Sequence, residues 1–125
     1  MLKDIKTDKA PAAIGPYSQA IQAGDFLYVS GQIPINPETG DVVEGIEKQT
    51  EQVLNNLKAI LTEAGTDFSK VVKFTIFLKD METFGTVNEI YGSFLEKPYP
   101  ARATVEVARL PKDVLVEMDV IAYTK

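Results

Sequence analysis

The chain predicts an α+β two-layer sandwich, one sheet with two helices on one face, in a single domain spanning residues 1–125. Three observations carry that expectation. Ile46, Thr50, Val53, Leu54, Leu57, Ile60, Leu61 and Ala64 recur at steps of three and four, which puts one apolar stripe on a long helix. A second stripe of the same kind runs through Phe84, Val87, Ile90, Tyr91, Phe94 and Leu95. Between and around them lie strand-like runs, the strongest being V-V-K-F-T-I-F-L-K from Val71 to Lys79. Two amphipathic helices among several strands bury their stripes by covering one side of one sheet.

In chain order, residues 1–16 are polar and rich in Pro, Ala and Gly, reading as at most a short edge strand and an ordered loop. Y-S-Q-A-I-Q-A and F-L-Y-V-S-G flank Ala23-Gly24-Asp25 as a hairpin, the second strand ending at Ser30 and Gly31. Residues 34–45 hold Pro-Glu-Thr-Gly and form a turn-rich loop. Gly65 stands where a left-handed helix terminator belongs. In Val71–Lys79, Val72, Phe74, Ile76 and Leu78 share one face, and Asp80 is placed to cap the next helix. Asn88 sits within that helix's apolar stripe, and Pro98 and Pro100 close it.

Composition narrows the chemistry. The 45% hydrophobic content suits one buried core, and neither a membrane-spanning run nor a signal-peptide core is present, so the expected setting is cytoplasmic and away from membranes. The chain has no His and no Cys, so the usual zinc, copper and iron–sulfur ligand sets and the Ser-His or Cys-His nucleophile pairs cannot be built. Proton transfer falls to carboxylates, Tyr, Lys or a positioned water. A net charge of −5 with scattered cations argues against nucleic acid as a partner.

The segment P-A-R-A-T-V-E-V-A-R-L-P-K-D-V-L-V-E-M (100–118) sets Arg102 and Glu117 into two otherwise apolar strands. Alternation with the apolar set toward the helices places Arg102, Thr104 and Glu117 on the helix-free face. Two readings stand: the strands pair as a hairpin and the charges cancel, or the charges line a ligand site or an oligomer interface.

That segment, with G-P-Y-S-Q-A (15–20), V-S-G-Q-I-P (29–34) and V-N-E-I-Y (87–91), resembles the RidA/YjgF family of reactive intermediate deaminases over essentially the whole chain. The resemblance implies a fold like that of bacterial chorismate mutase, with a mixed sheet, assembled as a homotrimer with a barrel-like centre and three clefts between subunits. It also implies that the last strand inserts between the first core strand and Val71–Lys79. Arg102 of one chain then meets Glu117 of its neighbour across a cleft. The implied reaction is the cofactor-independent, metal-free hydrolysis of 2-imino or enamine acids to 2-keto acids and ammonia. In that scheme Arg102 clamps the substrate carboxylate, and Glu117 orients or deprotonates the attacking water. Tyr17 places its hydroxyl on the substrate or the water or else plugs the trimer seam, Ser30 and the Gly31 amide bind the carboxylate or orient the imine or else simply end the strand, and Thr104 lines the cleft. Asn88 either contacts the ligand or pins a neighbouring loop, Arg109 anchors the 110–113 turn, and Phe84 and Tyr91 are core or cleft wall. Two other functions remain open: a carboxylate-responsive regulator or chaperone-like partner protein using the same cleft, and an RNA-cleaving translation inhibitor.

Overall fold

The computed structural model describes residues 1–125. The elements are β1 (Leu2–Ile5), β2 (Ala20–Ala23), β3 (Phe26–Gln32), α1 (Ile46–Glu63), β4 (Val71–Leu78), α2 (Phe84–Ser93), β5 (Ala101–Glu106) and β6 (Val116–Tyr123). All six strands join one sheet in the order β1-β2-β3-β6-β4-β5. β4 and β5 are parallel, as a strand–helix–strand crossover requires, and the other neighbouring pairs are antiparallel. The sheet is therefore mixed, with both helices packed on it, and β6 is inserted between β3 and β4.

The core forms where the periodicities meet. Val53, Leu54, Leu57, Ile60 and Leu61 of α1 pack on Leu27 and Val29 of β3, Phe74, Ile76 and Leu78 of β4, and Val116, Met118, Val120 and Ala122 of β6. Withdrawing each of these side chains larger than alanine from water is worth about 1.5–3 kcal/mol. α1 stops in a paired C-terminal turn: Gly65, at φ 80°, donates to Thr62 O, and Thr66 N donates to Leu61 O.

Buried amides tie the connecting segments to this core. Gln19 accepts from Thr7 N (2.8 Å) and donates to Thr7 O (3.0 Å) and Pro11 O (2.8 Å), shaping the stretch that carries Tyr17. Gln49 donates to Val43 O and accepts from Leu115 N, fixing the entry to β6. Asn56 donates to Ile33 O and Ile35 O, holding the loop after β3 against α1. Each amide pairs with backbone groups of a connecting segment that are partly or wholly buried.

Several sequence expectations shift. β2 begins at Ala20 rather than Tyr17, and β3 runs on to Gln32 past Ser30 and Gly31. Asp80 caps a 3-10 turn over Met81–Thr83 by accepting from Glu82 N, and α2 starts only at Phe84. A register irregularity between Val71 and Lys73 turns Val71 inward and leaves Val72 exposed. Asn88 is exposed rather than within the buried stripe of α2.

The largest correction concerns β5. Its register sets Arg102 beside Phe74 and Thr104 beside Ile76, and both partners point into the helix-covered core. Arg102 and Thr104 therefore face the helix side, whereas Glu117, beside Phe77, keeps the helix-free face. Glu106, also on the helix side, accepts from Met81 N just ahead of α2. Polarity misleads here because β5 is the outermost strand: its helix-side residues meet α2 at the sheet edge, where polar groups are tolerated. Its small apolar set (Ala101, Ala103, Val105) turns to the open face and remains exposed. The hairpin pairing of the two charges is thereby excluded within one chain, since β4 lies between β5 and β6.

Candidate active site

Arg102 is held by one face of α2. Phe84, Asn88 and Tyr91 follow one another at steps of four and three, so their side chains line up on the helix surface. The Arg102 guanidinium carbon lies 5.3 Å from the Phe84 ring centroid and 5.0 Å from that of Tyr91. Asn88 Oδ1 accepts from Arg102 Nη1 at 2.6 Å. Two ring faces and one amide fix the plane of the guanidinium by cation–π attraction and hydrogen bonding. Burial pushes the Tyr91 hydroxyl pKa up, while Arg102 pulls it back.

No carboxylate pairs with Arg102. The ion pairs of the chain are Lys6–Asp4, Arg109–Asp113 and Lys125–Asp25. A guanidinium carries five donors, so a held arginine with one side-chain partner keeps a fork free for an oxyanion. Two residues along β5, the Thr104 hydroxyl oxygen is buried without a hydrogen-bond partner. A buried unpaired hydroxyl is costly in a finished fold and commonplace where a ligand completes the bonding.

Glu117 belongs to a different surface. A Cβ built on Gly31 would overlap Glu117 Oε2, so glycine alone lets this carboxylate lie against the β3 backbone. The ladder between β3 and β6 slips between Val29 and Gln32, and this irregularity holds Ser30 and Gly31. Ser30 N donates to Gln19 O (2.9 Å) and Ser30 Oγ to Ser18 O (2.6 Å), which leaves the Ser30 oxygen able to accept. Tyr17, exposed, lines a cavity of about 480 Å3 together with Gly31, Gln32 and Ile35. Burial, reinforced by the charge of Asp119, raises the Glu117 pKa above the usual carboxylate range. Asp119 is raised as well, chiefly by burial, with a Thr75 hydrogen bond and Lys73 opposing.

The predicted site residues thus form two groups. Arg102, Thr104 and Asn88 lie together at the α2–β5 edge, and Tyr17, Ser30, Gly31 and Glu117 gather around the β3–β6 irregularity. The structure does not bring the groups together within one chain. Arg109 binds Asp113 through Nε (2.7 Å) and Nη2 (3.3 Å), bracing a turn in which Lys112 and Asp113 both take left-handed φ values of 55° and 56°. Anchoring is what that geometry performs. The pairing of Phe84 and Tyr91 with Arg102 went unread in the sequence, although their spacing with Asn88 was the available signal.

Residues 7–124 match the family model described as Endoribonuclease L-PSP. A RutC family protein of Pyrococcus abyssi is 57% identical over 95% of this chain and 94% of its own length. The crystal structure of YyfA from Yersinia pestis, described as of the conserved Rid protein family, superposes with a TM-score of 0.97. It is 54% identical and is matched over 98% of this chain and 99% of that one.

This chain belongs to the RidA/YjgF family.

The RidA/YjgF fold also extends to the structure of Escherichia coli TdcF with bound serine, which has a TM-score of 0.95 and 42% identity and is matched over 98% of this chain and 99% of that one. The expected family fold, one mixed sheet with two helices and β6 inserted at its centre, is what the chain adopts. No helix is long and apolar enough to cross a membrane.

Proposed function

We propose that this chain is a cofactor-independent deaminase of 2-iminopropanoate, 2-iminobutanoate and their enamine tautomers. The observation that carries the reading is Arg102, held in plane by Phe84, Asn88 and Tyr91 with no acidic partner of its own. Such a guanidinium suits a bidentate pair with the carboxylate of a small 2-imino acid. The serine bound in the TdcF structure is a three-carbon acid with the same carboxylate.

The chemistry needs little more than placement. Water adds its oxygen to the imine carbon, the C=N π pair moves to nitrogen, and nitrogen takes up a proton. The resulting carbinolamine expels ammonia as its hydroxyl proton leaves and the C=O bond forms. Glu117, with its raised pKa, accepts the water proton and returns it to the departing nitrogen. Tyr17 and the Ser30–Gly31 segment position water and substrate from the same side. The substrate is already electrophilic, so neither a metal nor a covalent nucleophile enters the scheme.

In this reading the site is completed between chains, Arg102 from one and Glu117 from its neighbour in a homotrimer. Two observations support it. Arg102 and Glu117 lie on opposite sides of the sheet, and the helix-free face exposes Tyr28, Phe26, Val105 and Tyr123. Light scattering at micromolar concentration is expected to give three times the chain mass; a monomer would remove the proposed cleft.

The same Arg102 clamp supports a second reading, a carboxylate-responsive regulator or chaperone-like partner that binds without turnover, for which bound serine in TdcF is equally apt. A PLP-dependent threonine dehydratase run with and without this protein separates the two. The deaminase accelerates loss of the imine intermediate beyond its hydrolysis in solvent, whereas a pure binding protein leaves that rate unchanged. Ribonuclease action, suggested by the description of the family model, is disfavoured by the net charge of −5 and the lack of His.

A further inference from the structure

β3 ends on a polar residue in an apolar place. Gln32 pairs with Met118 across the β3–β6 ladder, so its side chain turns to the helix-covered side with Leu27, Val29, Val120 and Ala122. It is only 5% exposed, and burying a carboxamide is costly unless the group is bonded. Its Nε2 donates to Ser30 O, two residues back in the same strand, at 3.1 Å. Ser30 and Gly31 have no register partners in β6, because the ladder slips between Val29 and Gln32. The regular pairing that orients peptide groups elsewhere in β3 is therefore broken here. The bonds from Ser30 N to Gln19 O and from Ser30 Oγ to Ser18 O hold Ser30 ahead of its peptide with Gly31, not the plane of that peptide. Glycine on the far side adds rotational freedom. The peptide is trans and planar, so the Ser30 C=O and the Gly31 N–H point to opposite sides. Whatever fixes the carbonyl also fixes the N–H.

We infer that Gln32 is a positioning residue for the reaction: its amide sets the plane of the Ser30–Gly31 peptide and so aims the Gly31 N–H into the site. The inference rests on the deaminase reading above, in which this segment places water and substrate. Gly31 lies against the Glu117 carboxylate, so a rotated peptide here misdirects a donor beside the group that moves the proton. Donors of this kind act only when they are held in place before the reaction. Gln32 lines the same cavity as Tyr17 and Gly31, with Lys112 at its charged end. Glutamine suits the position because it reaches the carbonyl with a neutral donor. A methionine of similar size has no donor, and an ionised glutamate would set a negative oxygen against the Ser30 carbonyl.

Gln32→Met keeps the volume and removes the donor. With the imine of alanine generated by an L-amino-acid oxidase, it is expected to lower kcat about tenfold, to leave KM within about twofold and to leave the melt little changed. Glycine-selective isotope labelling for NMR follows the peptide itself. Of the eight glycine amide signals, that of Gly31 alone should move in the variant and should lose its response to added propionate. Gln32→Glu supplies a pH signature. The acid form of the new carboxyl donates to Ser30 O and the ionised form cannot, so kcat relative to wild type should fall about tenfold as pH rises through that group's pKa. Taking the ratio removes the titrations the two proteins share, those of Glu117, Tyr17 and Lys112 included. The inference is overturned if Gln32→Met keeps the wild-type kcat, if the Gly31 signal stays in place, or if the Gln32→Glu ratio is flat. It is also overturned if all the glycine signals and the melt shift together, which would make Gln32 a support of the fold at large. If wild type itself fails to hasten imine loss, the deaminase reading goes. A Gly31 signal that moves alone and ignores propionate then still keeps Gln32 as the residue that aims the amide.

Discussion

Arg102→Ala is expected to lower kcat/KM for imine hydrolysis by about 10²–10⁴-fold, since two charge-assisted hydrogen bonds to a carboxylate at about 1.5–3 kcal/mol each are lost together. Arg102→Lys should fall by about 10–10²-fold, because an ammonium keeps the charge but not the planar fork. Lysine also loses the plane that lies against Phe84 and Tyr91 and the donor geometry that meets Asn88. Neither substitution should disturb folding, for Arg102 is exposed and forms no ion pair within the chain. The dehydratase-coupled rate together with a thermal melt decides the matter. A lysine variant with near wild-type rate would mean that the site reads charge alone and that the ring-and-amide cradle has no catalytic purpose.

Glu117→Gln carries the second large effect, a fall in kcat of about 10²–10⁴-fold if the carboxylate moves the water proton. The pH dependence supplies the sign. Burial raises the Glu117 pKa, so the active carboxylate is lost as pH falls through that raised value, and the wild-type rate falls with it. The glutamine variant should show a flat residual rate over the same range. Stability moves the other way. A group whose folded pKa is raised favours folding fully only below its unfolded value, and that contribution is lost as pH rises through the folded value. Glu117→Gln should therefore melt higher than wild type at neutral pH, with the difference vanishing in acid. Gly31→Ala makes the same point without touching the carboxylate chemistry. Its φ tolerates alanine, and the new methyl displaces the flexible end of Glu117, so activity should drop while the fold persists. If glutamine retains the rate and the acid limb, Glu117 serves only as an interface residue.

How far the sequence could be read depended on how many physical signals agreed at each place. The stripe of α1 and the β-branched run of β4 were plain because burial on one side imposes a period, and both elements sit at the centre of the core. The Gly65 terminus was equally plain, since a positive φ leaves few alternatives to glycine. The reading failed on β5, where alternation gave the two faces correctly but polarity assigned them the wrong way round. A central strand buries its apolar face under the helices. An edge strand need not, and Arg102 with Thr104 faces α2 while Ala103 and Val105 face outward. Local pattern contains no statement of which strand is outermost. That follows only from the crossover through α2 and the insertion of β6, long-range facts to which the family motifs pointed and periodicity did not. The cradle around Arg102 was hidden for a related reason: Phe84 and Tyr91 look like ordinary core residues until the arginine is known to lie over them.

The placement of Arg102 and Glu117 on opposite sides of one sheet has a genetic consequence. If each site takes its arginine from one chain and its glutamate from the next, Arg102→Ala and Glu117→Gln damage different halves and are complementary defects. Two preparations that are each inactive should regain activity when unfolded together and refolded as a mixture. With random assembly from equal amounts, about one site in four joins two intact halves, and about a quarter of the wild-type rate should return. A mixture as inactive as its parents would place both residues in the service of the same chain.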